Sequence, residues 1–125
     1  MSNYNEYGVV AIEAAKEKGS PKDNWLKEVQ KAFFASESSK TKPCPKNIFL
    51  GLCETGFVKG IPKGNYTKSI KNKKYAIKAV TVLKQNTQTT LSPKELWDKL
   101  ELRAIRSNSQ MDVVLALWEH GLIVK

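Results

Sequence analysis

Apolar residues recur every three or four positions along most of this chain, which is the period of an amphipathic α-helix. The first such segment runs from Asn5 to Lys18 and stops before a glycine. The second starts at the cap sequence Ser20-Pro21 and extends to about Ser36. The alternation typical of a half-buried strand is confined to short pieces such as 122–124. We therefore predict an all-α protein, a compact bundle of about six helices in a single domain covering residues 1–125.

Four further helices complete the predicted bundle. Glycines that follow an apolar run mark the ends of two of them, and the cap sequence Ser92-Pro93-Lys94-Glu95 marks the start of another. Between the second and third helices, the polar, proline-containing stretch 37–45 is predicted to be a loop. The predicted bounds are 46–55, 69–85, 92–105 and 109–120.

Two local patterns occur twice in the chain. Ser-Pro-Lys-Asp-Asn-Trp at 20–25 resembles Ser-Pro-Lys-Glu-Leu-Trp at 92–97. Residues 50–58 resemble residues 115–123, and both stretches end in Glu-x-Gly followed by two apolar residues. Good helix caps converge on the same residues, which is one explanation. The other is a pair of related helix-turn-helix halves bridged by a basic helix, with the two tryptophans at equivalent core positions. The sequence leaves both open.

The positive charge of the chain is confined to its middle. Of a net charge of +9, the segment from Ser39 to Lys84 carries eleven lysines and one acid, Glu54, for a local +10. The remaining residues carry ten bases and eleven acids, or −1. Such a block indicates an anionic partner, either nucleic acid or an acidic protein. Because it contains no arginine, diffuse attraction to phosphate is favoured over bidentate reading of bases.

Within this block, a loop and helix spanning residues 59–78 form the candidate site. Lys71, Lys74 and Lys78 are spaced as one stripe along a helix. Gly60 and Gly64 are predicted to let backbone N–H groups approach an anion, next to the positive end of the helix. Tyrosines would offer hydroxyls to phosphate or ring faces to an unpaired base. The predicted nucleic-acid-binding residues are Lys59, Lys63, Asn65, Tyr66, Lys68, Lys71, Lys73, Lys74, Tyr75 and Lys78.

This pattern predicts a non-enzymatic nucleic-acid-binding protein, with DNA favoured over RNA. The alternative is a protein-interaction module, an inhibitor or adaptor that docks its basic face on an acidic protein. For any single lysine, a solvated face that keeps the protein soluble is a sufficient explanation. Oligomeric state and base preference are left open.

The residues needed for catalysis or metal binding are not grouped in the sequence, so we expect no catalytic residue, no metal and no cofactor. His120 lies in a last helical turn, where it suits the helix dipole. Cys53 is expected in the core, and Cys44 lies between two prolines without a second histidine to activate it. Without a signal peptide or an apolar run long enough to span a bilayer, a cytoplasmic protein with no membrane partner is predicted.

Two stretches resemble known families. NIFLGLCETGFVKGIPKGNYTKSIKNKKYA, residues 47–76, is similar to the signature of small bacterial proteins of unknown function, which implies a bacterial or phage origin and no particular activity. SPKELWDKLELRAIRSNSQMDVVLALWEHGLIVK, residues 92–125, resembles part of a winged-helix or helix-turn-helix module. That resemblance implies a recognition helix at 109–120, but this helix carries Asp112 and Glu119 and no lysine or arginine. The basic segment 59–78 is therefore the favoured contact.

Overall fold

The computed structural model describes residues 4–88, 90–101 and 108–124, and the regular structure in these ranges is helical. Within these ranges, six helices of seven or more residues and one single-turn helix form a bundle, which confirms the all-α prediction. Extended pairing in the described ranges is limited to one isolated antiparallel bridge, between Val58 and Ile123. The helices are α1 (Glu6–Lys16), α2 (Pro21–Ala32), α3 (Glu37–Lys40), α4 (Pro43–Glu54), α5 (Ile70–Gln85), α6 (Pro93–Lys99) and α7 (Gln110–Glu119).

Local capping chemistry accounts for the predicted helix starts. The Ser20 hydroxyl accepts the backbone N–H of Asp23 at the start of α2. At the start of α6, Ser92 and Glu95 form a reciprocal capping box. The hydrogen bond from the backbone N–H of Ser92 to the Glu95 carboxylate lowers the pKa of that carboxyl. The Ser69 hydroxyl caps α5, as Ser20 caps α2, by accepting the backbone N–H of Asn72. Each cap satisfies N–H groups that have no partner inside the helix.

The stretch 37–45, predicted as a loop, is instead largely helical. It contains α3, and α4 begins at Pro43 rather than at Lys46. Pro43 and Pro45 occupy the first turn of α4, where a missing N–H removes no intrahelical hydrogen bond. The prolines that suggested a loop are therefore part of a helix N-terminus.

The fifth predicted helix is shorter than expected. α6 ends at Lys99, and Glu101 adopts a left-handed conformation with φ of 59°. A left-handed residue does not continue a right-handed helix. The predicted extension to Ile105 lies outside the described residues.

The core is apolar and joins all the longer helices. Trp25 is fully buried and stacks on Phe49, with 5.3 Å between the ring centroids. Trp97 is also buried and meets the ring of Tyr75 edge-on at 5.6 Å. α7 packs against α1 and α4, and seven of its ten residues are buried, so it presents little surface to a nucleic-acid groove.

The two similar helix endings seen in the sequence have the same structure. Gly56 and Gly121 lie 65 positions apart (121 minus 56), with φ of 81° and 68°. Each is followed by an apolar residue whose N–H reaches back to a helix carbonyl, Phe57 to Leu52 at 3.1 Å and Leu122 to Leu117 at 2.9 Å. This glycine-terminated ending satisfies carbonyls that have no partner inside the helix.

These two endings meet across the bridge. The N–H of Lys59 donates to the carbonyl of Leu122, and the N–H of Val124 donates to that of Phe57, both at 2.8 Å. Lys59 and Val124 are again 65 positions apart, as are Phe57 and Leu122. The two hydrogen bonds would therefore exchange under a two-fold rotation through the bridge.

The contacts between helices also occur in two copies, whose residues are related by the same offset of 65 positions. α7 packs on α1, where a Cβ added to Gly8 would lie 2.9 Å from the Cβ of Ala116. α4 packs on α5, where a Cβ added to Gly51 would lie 3.0 Å from the Cα of Lys73. Gly8 corresponds to Lys73 and Gly51 to Ala116. Residues 6–58 and the described residues of 70–123 thus fold as two similar halves, and α5 is the first helix of the second half rather than a bridge between them.

Candidate nucleic-acid interface

The loop that precedes α5 is held in place by Glu54, the one acid of the basic segment. One carboxylate oxygen accepts the backbone N–H groups of Tyr66 and Thr67, at 2.8 and 3.2 Å. The other lies 2.6 Å from the Nζ of Lys73. The hydrogen bond from Lys73, followed by those from the two backbone groups, lowers the pKa of Glu54 to about 2. Glu54 is therefore ionised near neutral pH, and its charge is compensated within the protein.

This arrangement corrects the predicted role of the loop backbone. The N–H groups of Tyr66 and Thr67, just before α5, bind the Glu54 carboxylate rather than an external anion. The N–H of Gly64 donates to the carbonyl of Glu54 at 3.5 Å. Gly60 keeps a positive φ of 83° in open space. The N–H groups of Gly64, Tyr66 and Thr67 are therefore engaged within the protein and are not free to bind an external anion.

The two tyrosines are less available than predicted. Tyr75 is 8% exposed and packs against Trp97, so it cannot stack on a base. The Tyr66 hydroxyl donates to the carbonyl of Pro62 at 2.7 Å. A Cβ added to Gly64 would lie 2.9 Å from this ring, so the side chain of Tyr66 folds over its own loop. Tyr75 is therefore unavailable for stacking, and Tyr66 is held against its own loop.

Three of the predicted lysines have structural contacts. Lys73 pairs with Glu54. The Nζ of Lys78 donates to the carbonyl of Leu100, just after α6, at 2.9 Å. The stem of Lys63 covers Gly56, where an added Cβ would lie 2.8 Å from its Cγ. Lys73 is thereby neutralised, whereas Lys63 remains exposed with its charge unpaired among the described residues.

The other predicted lysines are exposed and have no ion-pair partner in the described part of the chain: Lys59, Lys68, Lys71 and Lys74. Asn65 is also exposed. Four other lysines are paired, because Lys16, Lys27, Lys31 and Lys40 each lie within 3.7 Å of a carboxylate oxygen, whereas Lys18, Lys94 and Lys99 also have no such partner among the described residues. We name Lys59, Lys63, Lys68, Lys71 and Lys74 the basic face. Unpaired positive charge is therefore retained in the loop and on α5.

A groove of about 290 Å³ lies next to the basic face and is lined by two lysines that were not among the predicted residues, Lys22 and Lys46. Lys22 is the second residue of α2 and lies outside the basic segment, so sequence position gave no reason to place it beside Lys68. The sequence did contain one signal for Lys22: a lysine in the first turn of a helix is disfavoured by the helix dipole, so its presence there is unusual. The lining residues are Lys22, Lys46, Asn47, Leu50, Tyr66, Thr67 and Lys68.

The histidine and the two cysteines considered for other chemistry lie apart from one another in structural environments. The Nε2 of His120 lies 2.7 Å from the hydroxyl oxygen of Tyr4. Cys53 is buried, and burial raises the pKa of its thiol. Cys44 is half-buried. Among the described residues, no group of three histidine, cysteine or acidic side chains is placed to hold a metal ion.

A family model described as a family of unknown function (DUF6979) matches residues 1–124. The chain belongs to this family. The predicted resemblance to a family of unknown function is thereby confirmed, and the family description names no activity. No curated protein and no solved structure matches the chain. In the part of the chain that the structure describes, every helix is too short or too polar to cross a membrane.

Proposed function

We propose that this protein binds nucleic acid, with double-stranded DNA favoured, through its basic face. One observation carries the proposal: five exposed lysines in the loop and α5 lack an ion-pair partner among the described residues. The nearby carboxylate of Glu54 does not neutralise them, because it is already bound by Lys73 and two backbone N–H groups. The charge of this face is thus directed to solvent or to an external anion.

The position of the lysines on α5 supports an external anion. Lys71 is the second residue of the helix, and the first turn contains no acid. Cations at a helix N-terminus are disfavoured by the dipole, and like charges three or four positions apart repel each other, each by a few tenths of a kcal/mol. These lysines oppose the stability of the helix that carries them. A bound phosphate would relieve both effects.

The first half of the chain shows that the fold does not require lysines at these positions. Glu6 and Val9 on α1 are the counterparts of Lys71 and Lys74, 65 positions earlier, and they are exposed in the same way. α1 nevertheless packs on α7 as α5 packs on α4. Solubility would be served equally well by acids. The lysines are therefore better explained by a partner than by packing.

The chemistry of the face favours duplex backbone over unpaired bases. Sequence-independent binding of single strands uses aromatic stacking in addition to positive charge. Tyr75 is buried and Tyr66 is bonded within its loop, so that contribution is small. Lysine interacts with phosphate as a point charge and reads bases less well than arginine. Weakly sequence-specific binding with a steep salt dependence is the expected behaviour.

The test is the salt dependence of binding to a fluorescent DNA duplex. Removal of two phosphate contacts in Lys71→Ala/Lys74→Ala should reduce the slope of log K against log salt by about 1.8, at unchanged melting temperature. Lys78 is left intact because its hydrogen bond to Leu100 has a structural role. The matched control, Lys27→Ala/Lys31→Ala on α2, removes the same charge from a helix that packs on α1 and α4.

An unchanged slope in the α5 variant, or an equal change in the α2 control, would place the contact elsewhere. Absence of wild-type binding to any DNA or RNA at low salt would reject the proposal.

One observation favours the alternative of an acidic protein partner. Ile70 is 68% exposed and Ile77 is 36% exposed, and both lie near the lysines on the solvent side of α5. An exposed apolar strip beside positive charge is typical of a surface that binds protein. Under this alternative, the protein is not retained on duplex DNA. It is retained on a polyglutamate matrix, and Ile70→Ser/Ile77→Ser lowers its affinity for the acidic partner.

A further inference from the structure

The groove beside Tyr66 brings together lysines from three separate parts of the chain. Lys22 comes from α2, Lys46 from α4 and Lys68 from the segment just before α5. The groove has a volume of about 290 Å³, and no carboxylate lines it. None of the three lysines has an ion-pair partner among the described residues. Three unpaired cations therefore share one concave site.

These lysines are placed at the expense of local stability. Lys22 is the second residue of α2, and Lys46 is the fourth residue of α4, whose first turn contains no acid. The partial positive charge of a helix N-terminus disfavours a lysine at both positions. An anion in the groove would compensate all three charges.

The neutral polar groups of the groove also favour a ligand that only accepts hydrogen bonds. The Thr67 hydroxyl donates to the Oδ1 of Asn47 at 2.9 Å and accepts the N–H of Ser69 at 3.1 Å. The Nδ2 of Asn47 donates to none of the described residues. One amide donor and three ammonium groups remain to contact a ligand. Phosphate oxygens are acceptors that suit such a set.

The size and charge of the groove narrow the ligand further. A volume of about 290 Å³ holds a phosphate with an attached sugar and is small for a drug-sized ligand. A phosphate monoester carries close to two negative charges near neutral pH, whereas a diester within the backbone carries one. Three lysines therefore match a monoester better. Lys68 belongs to both the groove and the basic face, which places the groove at the edge of the proposed DNA contact.

We propose that this groove binds a phosphate monoester carried by the end of a nucleic-acid strand, an inference that rests on the proposed function. The protein would then prefer phosphorylated DNA ends. Lys22, Lys46 and Lys68 contact the phosphate oxygens, and Asn47 donates from its amide. The basic face binds the adjoining duplex backbone.

The experiment compares binding of one short duplex with and without a 5′-phosphate. The phosphate should tighten binding by the wild-type protein about tenfold, as expected for charge-assisted hydrogen bonds. Lys22→Gln/Lys46→Gln should lose this gain while still binding the unphosphorylated duplex. Lys94→Gln, which changes the lysine of the matching Ser-Pro-Lys cap on α6, should retain it. A duplex with 3′-phosphates tests whether one type of end is preferred.

Equal affinity of the wild-type protein for both duplexes would overturn this inference and leave the proposed function in place. A different outcome is that the wild-type protein binds a free nucleoside monophosphate and no duplex, and that this binding is lost in Lys22→Gln/Lys46→Gln. That result would show that the phosphate does not come from a strand end, and it would overturn the proposed function as well. A gain from phosphorylation that the double variant retains would move the phosphate site away from the groove.

Discussion

The two halves of the molecule share a framework but differ in surface charge. On α1 the buried Ala11 and Ala14 correspond to Ala76 and Ala79 on α5, and all four are fully buried. Both halves end in a glycine-terminated helix that meets the other across the Val58–Ile123 bridge. The residues at these matching positions are small alanines in tight packing or glycines with positive φ. Steric constraints therefore determine which residues can occupy them.

The exposed positions of the same two helices differ completely. α1 carries Glu6 and Glu13 where α5 carries Lys71 and Lys78. Packing does not restrict the sign of charge at such positions. The comparison teaches that the framework explains the glycines, alanines and caps, and that the lysines need a separate explanation. The proposed anionic partner would supply that explanation.

The largest expected effect tests whether Trp25 and Trp97, which each follow a Ser-Pro helix cap, occupy equivalent positions in the core. Trp25→Ala should lower the free energy of unfolding by about 3–5 kcal/mol, because it empties a fully buried, stacked position. Trp97→Ala should cost slightly less, since this side chain is 6% exposed. Urea unfolding followed by circular dichroism measures both, with Trp→Phe variants as milder controls. A cost below about 1 kcal/mol at either position would break the equivalence.

The second prediction compares the two helix endings. Gly56→Ala and Gly121→Ala should each destabilise by about 1–2 kcal/mol, because alanine is strained at positive φ. Gly56→Ala should cost more, since its Cβ would meet the stem of Lys63, whereas Gly121 has open space. In a Lys63→Ala background the excess at Gly56 should disappear. If it persists, the contact with Lys63 is not its cause.

The third prediction concerns two glutamates at matching positions, Glu54 and Glu119. Glu54→Gln should lower stability near neutral pH by about 1–2 kcal/mol, because it removes the ion pair with Lys73. Glu119→Gln, at an exposed position, should change stability by less than about 0.5 kcal/mol. Thermal melts at several pH values provide the measurement.

The pH dependence of the Glu54 effect has a definite sign. Its pKa is lowered from 4.5 to about 2 in the folded protein, so its contribution is complete above pH 4.5. The contribution decreases as pH falls below 4.5 and is lost as pH falls through the folded pKa of about 2. The difference between wild type and Glu54→Gln that comes from ionisation should therefore shrink through this range and disappear below it. A difference that stays constant would exclude ionisation as its cause.

The smallest expected effect on stability comes from an exchange of surface chemistry between the halves. Lys71→Glu/Lys74→Val places the α1 residues on α5 and should alter stability by less than about 0.5 kcal/mol. An acid at the second helical position even favours the helix dipole. Binding to duplex DNA should nevertheless be largely lost. A strongly destabilised variant would show that the lysines are structural after all.

The exposure of the α5 lysines could be predicted from the sequence, and two features that were predicted wrongly also had a local signal. The helical period places Lys71 and Lys74 opposite Ala76, and both lysines are exposed. The same period places Tyr75 four residues before the buried Ala79, on the core side, so its burial could have been predicted. The prolines at the start of α4 likewise fit a helix N-terminus as well as a loop.

Other features depend on contacts between distant residues. Glu54 binds Lys73 and the backbone of the loop, which lie 12 to 19 positions along the chain. The groove joins Lys22 to Lys68 through the packing of α2, α4 and the segment before α5. Local patterns carry no information about such pairs.

What the sequence by itself determined is local. Apolar period, serine caps and terminal glycines specified an all-α chain and most helix ends, because these depend on neighbours within a few residues. Charge counting also located the basic segment. Only the tertiary structure decided which lysines are neutralised and which converge without a partner, since ion pairs and grooves form between residues that packing brings together. The same packing made two similar sequence fragments into two matching halves.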